Sequence, residues 1–240
     1  MQIKKCRFVG KEGLSAIKEH ERTVILGLTG SGKSVLLDKM IKRFAKQTLV
    51  ILIDTKDEYL HIKNLDIEDF KKNKGLWRIN ELELENGIVF SGASGLKYIS
   101  EWIADVMFER GNCILAIEEM GLVLQKYGKF YDRNPNVATL IQQGRGRNVG
   151  FIGVSQRPQE LHTTLISQSN NVFSFWFHQR ADIEYMKSYF PPDLISSDKG
   201  LGRHQFLRFK AGEKIMYHHY RISLSPSEID FYTERFGKAS

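Results

Sequence analysis

Residues 23–37 contain the side chains best suited to chemistry, in a glycine-rich turn between an apolar run and a helix-forming stretch. Gly27, Gly32, Lys33 and Ser34 fit the spacing G-x-x-x-x-G-K-[ST], in which backbone N–H groups surround the phosphates of a nucleotide. In that pattern the lysine reaches the terminal phosphates and the hydroxyl ligates Mg²⁺. The predicted nucleotide contacts are Gly27, Leu28, Thr29, Gly30, Ser31, Gly32, Lys33, Ser34 and Val35.

The flanks of this turn support a phosphate-binding function over a simple glycine turn. Residues 24–26 are β-rich, and apolar residues recur at helical spacing across residues 33–44. The sequence therefore predicts a strand, a loop and then a helix, whose positive N-terminal end faces the phosphates.

Two adjacent carboxylates follow a second apolar run at residues 113–117. Burying unpaired charge at the end of such a strand is costly, and a metal ion and a water molecule would account for it. In P-loop enzymes the acidic residue here holds Mg²⁺ and a following glutamate can activate the attacking water. We assign Glu118 to the metal and Glu119 to the water. The alternative is a pair of surface acids that begin a helix at Met120.

Polar residues also end two further apolar runs. Residues 48–53 lead into Asp54-Thr-Lys-Asp-Glu-Tyr59, at the type of strand end where α/β folds bind ligands. Residues 151–155 lead into Gln156, whose amide is suited to sensing the γ-phosphate or its water if this strand lies beside the phosphate-loop strand.

Length and composition favour one α/β domain. The chain has 240 residues, of which 42% are hydrophobic, and no run approaches the roughly 18 apolar residues of a membrane span. Two cysteines do not form a disulfide framework, so we expect a reducing, cytoplasmic location. The net charge of +7 permits a polyanionic partner without specifying one.

The expected architecture is a RecA/ASCE-like P-loop NTPase, with a mostly parallel central sheet flanked by helices and a C-terminal hairpin. We predict a single domain over residues 1–240. Within it, residues 1–22 form a lead-in, residues 61–90 a peripheral excursion, and residues 203–240 a hairpin followed by a helix.

Four features in chain order resemble the FtsK/HerA superfamily of DNA-pumping ATPases, which includes HerA-type helicases, conjugative coupling proteins and some viral genome-packaging ATPases. They are the glycine-rich loop, the strand end at residues 54–59, the strand followed by Glu118-Glu119, and residues 146–158. The last is the most specific, because it combines Gly-Arg-Asn-Val-Gly with an apolar strand ending in Gln-Arg-Pro. The resemblance covers residues 23–189.

The resemblance implies ATP and Mg²⁺ as cofactors and assigns roles to individual residues. Lys33 and Ser34 become the phosphate and metal ligands, Glu119 the catalytic glutamate and Gln156 the γ-phosphate sensor. Arg147 occupies the position from which a neighbouring subunit inserts an arginine, and Arg145 competes for that role. Such an arginine requires a homo-oligomer, in this family most often a hexameric ring.

The chain departs from the family in having Glu-Glu where relatives usually have Asp-Glu, and in showing no segment long enough for the extra domains of the cellular pumps. It most resembles a minimal viral genome-packaging ATPase that moves double-stranded DNA and docks on a capsid or membrane portal protein. It would then act in the host cytoplasm and could accompany the virion. The alternatives are a HerA-like, conjugative or plasmid DNA translocase, a filamentous-phage-type assembly ATPase and a small-molecule phosphotransferase.

The segment 125–133 is a candidate DNA-contacting pore loop, because it places three cations among three aromatic residues. A peripheral crossover loop is an equal alternative. These residues are Lys126, Lys129 and Arg133 with Tyr127, Phe130 and Tyr131.

Overall fold

A computed structural model describes residues 7–9, 14, 16–83, 89–124, 126, 134–197, 200–213 and 217–236. Its strands are β1 (Arg7–Val9), β2 (Arg22–Leu26), β3 (Leu49–Ile53), β4 (Gly75–Ile79), β5 (Leu82–Glu83), β6 (Val89–Phe90), β7 (Cys113–Ile117), β8 (Val149–Ser155), β9 (Asn171–Ser174), β10 (Gln205–Lys210) and β11 (His218–Ile222). Its α-helices are α1 (Lys33–Phe44), α2 (Gly92–Arg110), α3 (Pro135–Gln143), α4 (Thr163–Ser167), α5 (Arg180–Met186), α6 (Pro192–Ile195) and α7 (Pro226–Phe236).

Within the described residues, nine strands form one sheet in the order β1-β11-β10-β9-β2-β8-β7-β3-β4. The six strands from β9 to β4 are all parallel to one another, whereas β10 is antiparallel to both β9 and β11. The predicted mostly parallel sheet with a C-terminal hairpin is therefore confirmed. Strand β8 lies directly beside β2, as the interpretation of Gln156 required.

Helices cover both faces of the sheet, which explains the unbroken apolar runs in its strands. In β3, Leu49, Ile51 and Ile53 pack on the side of α2 and α3, while Val50 and Leu52 pack on the side of α1. All five are fully buried. The alternation follows from the two-residue repeat of a strand, and it fixes α1 and α2 on opposite faces.

The predicted peripheral excursion over residues 61–90 is wrong in part. Its segment Gly75–Ile79 is β4, the edge strand of the main sheet, paired in parallel with β3. Trp77 and Ile79 are buried in the core on the α2 side. The charged Arg78 between them masks the strand pattern, but it is itself buried and binds Asp54 and Asp57. Only β5 and β6 form a separate two-stranded ribbon among the described strands.

The C-terminal region returns to the phosphate-loop side of the sheet. Tyr232 of α7 packs in the same core as α1, and the helix begins with a capping box, in which Ser225 and Glu228 exchange hydrogen bonds. No helix within the described residues is long and apolar enough to cross a bilayer.

Candidate functional site

The glycine-rich loop lies between β2 and α1, where the carboxyl ends of three parallel strands meet. Its backbone is tied to both neighbouring strand ends, because Gly27 N donates to Ser155 O at 3.3 Å and Leu28 N donates to Trp176 O at 3.1 Å. The loop is therefore held in shape by the sheet on either side, and the twelve residues of α1 follow it.

Two of the loop's glycines are required by both conformation and space. Gly27 and Gly32 have φ angles of 150° and 115°, in the region that side chains disfavour. A Cβ on Gly27 would lie 2.5 Å from Phe175 Cβ, and one on Gly32 would lie 2.7 Å from His204 Cδ2. The loop is thus closely packed against residues far away in the sequence.

Lys33 and Ser31 supply two donors that a phosphate could use. Lys33 is buried, and its Nζ donates to Leu28 O at 2.8 Å. Burial lowers the pKa of Lys33 to about 8, although Glu119 and other nearby carboxylates act in the opposite direction. Ser31 Oγ is buried with no hydrogen-bond partner among the described residues. An unsatisfied buried hydroxyl in this loop fits a site that binds an anion.

The two carboxylates that follow β7 share a cation from the segment after β3. Lys56 Nζ lies 2.9 Å from Glu118 Oε1 and 3.5 Å from Glu119 Oε2. Thr55 Oγ1 donates to the other Glu118 oxygen at 2.7 Å. Burial alone would lower the pKa of Lys56, but Glu118 and Glu119 raise it above its usual value. The alternative in which both acids lie on the surface does not hold for Glu118, which is only 3% exposed.

Sequence reasoning missed the closest carboxylate to the predicted metal ligand Ser34. Ser34 Oγ donates to Glu58 Oε2 at 3.4 Å, and burial followed by the charge of Glu118 raises the pKa of Glu58. The sequence did indicate a ligand site here, because Lys56 and Glu58 belong to the polar run that follows β3. Their individual contacts could not be read from it.

A buried ionic cluster fixes this polar run. Asp54 is buried and accepts hydrogen bonds from Glu58 N at 3.2 Å and Tyr59 N at 3.0 Å. Arg78 of β4 lies 3.3 Å from the same carboxylate. Burial raises the pKa of Asp54 against the effect of these hydrogen bonds. The cluster positions Lys56 and Glu58, and it depends on the edge strand that the sequence prediction misplaced.

Gln156 lies against the phosphate loop. Thr29 Oγ1 donates to Gln156 Oε1 at 2.6 Å, across the junction between the loop and the end of β8. The predicted sensor and a predicted nucleotide contact are therefore hydrogen-bonded to each other.

Arg145 and Arg147 lie at the opposite end of β8 from Gln156. The seven residues of β8 separate them from the phosphate loop of their own chain by roughly 20 Å, at about 3.3 Å per residue. Arg147 stacks over Phe108 at 4.6 Å and lies 3.2 Å from Glu109 Oε2, and its side chain is 45% exposed. The structure does not bring either arginine to the site of the same chain.

The candidate pore loop over residues 125–133 lies outside the described residues, except for Lys126, whose backbone N donates to Glu160 O at 2.7 Å.

The predicted residues line a single cavity of about 580 Å³. This volume is within the range of small-molecule binding sites. The walls of the cavity include Thr29, Gly30, Gly32, Lys33, Ser34, Val35, Glu118, Glu119 and Gln156. The remaining wall was not predicted and comes from the C-terminal region, including His204, Arg221 and α7.

The oxygen ligands around this cavity suit Mg²⁺ that binds together with a nucleotide, not Mg²⁺ held by the protein alone. No group of three or more His, Cys, Asp or Glu side chains among the described residues could hold a metal ion. Mg²⁺ ordinarily takes one or two protein oxygens together with phosphate oxygens and water. Ser34, Glu118 and Glu58 offer such a partial set.

The fold and this site define a P-loop NTPase. The model of the family described as "Helicase HerA, central domain" matches residues 17–106. With the fold, this match confirms the resemblance of the chain to the FtsK/HerA-type P-loop ATPases. No curated protein matches the chain by sequence.

Solved structures share the fold over most of the chain. The genome packaging NTPase B204 from Sulfolobus turreted icosahedral virus 2, solved with ATP-gammaS, is 16% identical with a TM-score of 0.67; the match covers 87% of this chain and 100% of that one. The N-terminal domain of zonular occludens toxin from Neisseria meningitidis is 15% identical with a TM-score of 0.51, covering 88% and 98%. The pCW3 conjugation coupling protein TcpA is 14% identical with a TM-score of 0.50, covering 85% and 60%.

Proposed function

We propose that this protein is an ATPase that moves double-stranded DNA, and that it packages a viral genome. The observation that carries the proposal is the meeting of Lys33, Ser34, Glu119 and Gln156 around one cavity. Lys33 and Ser34 begin α1, and Glu119 and Gln156 follow β7 and β8. Together they provide phosphate binding, a general base and an amide that contacts the loop. A site that only bound a nucleotide would need neither of the last two.

In the proposed reaction, the loop N–H groups and Lys33 hold the β- and γ-phosphates of ATP. The positive end of α1 and the unsatisfied hydroxyl of Ser31 add to this anion site. Ser34 and Glu118 would hold Mg²⁺, with Glu58 beside the Ser34 hydroxyl as a further carboxylate. When bound, Mg²⁺ neutralises the charge on the phosphate oxygens.

Glu119 then takes a proton from the water that attacks the γ-phosphorus, and ADP leaves as inorganic phosphate forms. The side chain of Glu119 is 16% exposed, against 3% for Glu118, so it is the more accessible carboxylate for a water molecule. Gln156 orients that water or contacts the γ-phosphate, and its bond to Thr29 would link γ-phosphate binding to the shape of the loop.

We further infer that the site is completed by a second copy of the chain in a ring, most simply a hexamer. Arg147 lies too far from its own loop to act there, whereas an arginine from a neighbour would stabilise the charge of the transferred phosphoryl group. Arg145 is the other candidate. The net charge of +7 suits a polyanionic track, and contacts to DNA phosphates would carry little sequence specificity.

The similarity to B204 supports genome packaging as the particular role, because B204 is a viral genome packaging NTPase of the same fold and this chain spans its full length. Docking on a capsid or membrane portal protein, and action in the host cytoplasm, belong to this proposal. The similarity to a conjugation coupling protein keeps a conjugative or plasmid translocase as the second candidate.

Substitution of Glu119 tests the hydrolytic part. Glu119→Gln should bind Mg-ATP with near-normal affinity but hydrolyse it at least about 100-fold more slowly, because the amide cannot take a proton. Lys33→Ala should lose binding itself. Undiminished turnover in Glu119→Gln would contradict the assignment. Turnover only with an added phosphate acceptor would indicate a phosphotransferase.

A further inference from the structure

The second wall of the cavity is one face of α7. Ile229, Tyr232, Thr233 and Phe236 all line the cavity, and their spacing of 3, 4 and 7 residues places them on a single helical face. Ile222 and Leu224, just before the helix, line it as well. This wall is mainly apolar, in contrast to the charged wall formed by the ends of β3, β7 and β8.

The sheet order determines which part of a nucleotide would meet this wall. The groups assigned to the γ-phosphate follow β7 and β8, on one side of β2. The hairpin that leads into α7 lies on the other side of β2, beyond β9. A nucleoside triphosphate with its γ-phosphate at Glu119 and Gln156 would therefore extend its sugar and base toward β10, β11 and α7.

The wall is held in place by contacts with α1. Tyr232 OH donates to Asp38 Oδ2 at 2.9 Å, and Lys39 forms an ion pair with Glu228. Phe236 packs on Tyr59, with ring centroids 5.3 Å apart. Ile229, by contrast, is 50% exposed although it is a large apolar residue. A fixed helix that presents an exposed isoleucine to a nucleotide cavity is suited to contact an aromatic base.

The polar groups of this wall are poorly suited to reading the edge of a base. Ser223 and Thr233 contribute hydroxyls, and the ring of His204 lies against Gly32 at the phosphate loop. The carboxylates and the amide that line the cavity belong to the opposite wall. Arg203 and Arg221 line the cavity too, and they are cations that suit the phosphate chain better than they suit a neutral base.

We propose that α7 and residues 222–224 bind the nucleoside of a nucleoside triphosphate by apolar contact, with little discrimination between adenine and guanine. The inference rests on the proposed function only in taking the phosphate loop to bind a nucleoside triphosphate. It requires neither hydrolysis nor DNA.

The test compares ligands with and without a base by isothermal titration calorimetry. The ligands are non-hydrolysable analogues of ATP and GTP, and tripolyphosphate, each with Mg²⁺. The proteins are the full chain, Ile229→Ser, Leu224→Ser and the matched control Ile67→Ser. Ile67 is 71% exposed on a 3-10 turn away from the cavity.

We expect Ile229→Ser to lower the affinity for both nucleotide analogues about 5- to 10-fold, because apolar burial is lost. The affinity of this variant for tripolyphosphate should stay within about twofold of the wild-type value. Leu224→Ser should act in the same direction, Ile67→Ser should change nothing, and the wild-type protein should bind the two analogues within about threefold of each other. Unchanged nucleotide affinity in both cavity variants, an equal loss for tripolyphosphate, or strong selectivity for one base would overturn the proposal. Because hydrolysis is not measured, a failure of the proposed ATPase activity would leave this result interpretable.

Discussion

The ammonium group of Lys56 lies 2.9 Å from Glu118 Oε1, and the same group reaches Glu119. The carboxylate proposed to hold the metal and the carboxylate proposed to activate water thus share one lysine cation. In the proposed site, Mg²⁺ would compete with this cation for Glu118 when Mg-ATP binds.

Replacing Lys56 with methionine should therefore have opposite effects with and without metal. In EDTA, Lys56→Met should lower the free energy of unfolding by about 1–3 kcal/mol, because the buried Glu118 loses its cation. The Mg²⁺ concentration that gives half-maximal ATPase activity should fall several-fold, because the competing charge is gone. Thermal unfolding and a Mg²⁺ titration measure the two effects. Lys71→Met is the control, since Lys71 pairs with Glu68 on the surface. A higher Mg²⁺ requirement in Lys56→Met would contradict this account.

Nucleotide binding should take up a proton near pH 8. The pKa of Lys33 is about 8 in the free protein because of burial, so about half of the molecules carry a neutral amine at that pH. A bound polyphosphate favours the charged form, so affinity should fall as pH rises through 8 and proton uptake should approach about half a proton there. Titration calorimetry in buffers of different ionisation enthalpy measures the uptake. Lys33→Arg, which does not titrate, should show none. Constant affinity from pH 7 to 9 would be inconsistent with the role of Lys33.

Gly32→Ala should weaken nucleotide binding as well as the fold. The new methyl group would meet the His204 ring at 2.7 Å in a backbone conformation that alanine disfavours, so the loop must move. We expect a loss of about 1–3 kcal/mol in stability and at least a tenfold loss in ATP affinity. The double variant with His204→Ala should recover part of the affinity, because only the steric component is relieved. Gly146→Ala is the control, as a Cβ there meets nothing within 4 Å. Normal ATP binding by Gly32→Ala would refute the close packing of this loop.

Mixed rings test the arginine from a neighbouring subunit. Arg147→Ala should bind ATP normally yet lose about 10³-fold or more in hydrolysis. Mixing it with Glu119→Gln subunits creates interfaces in which one chain supplies Glu119 and the next supplies Arg147. About one quarter of the interfaces in a randomly mixed ring have this composition, so part of the activity should return. The same mixture made with Arg145→Ala distinguishes the two arginines. No recovery in either mixture would argue against a shared site.

Local patterns predicted the elements on which the site is built. The limits of α1 and β7 follow directly from apolar spacing and from the glycine-rich turn. Placing Glu118, Glu119 and Gln156 together also succeeded, because the carboxyl ends of parallel strands share one edge of the sheet. These inferences need only short-range periodicity and one rule of topology.

The remaining features depend on contacts that periodicity does not encode. The charged Arg78 interrupts the apolar pattern of β4, so the sequence predicted a polar excursion there. Its partner Asp54 lies 24 residues earlier in the chain, and local periodicity does not show that the two side chains pair. The wall formed by α7 depends on the bond between Tyr232 and Asp38, which are 194 residues apart. Side chains brought together over such separations have no local signature. The wall of the cavity formed by α7 was therefore not predicted, whereas the wall formed by the glycine-rich loop was.

The most direct measurement of the central claim is the steady-state ATPase rate of the full chain with and without double-stranded DNA, at equal Mg²⁺ and salt. A motor that moves on DNA should hydrolyse ATP without any other acceptor and should do so several-fold faster with DNA. The stimulation should be independent of base sequence and should weaken as salt rises. Glu119→Gln should abolish both rates. A rate that DNA leaves unchanged across low and moderate salt would contradict a DNA translocase, even if ATP hydrolysis itself were confirmed.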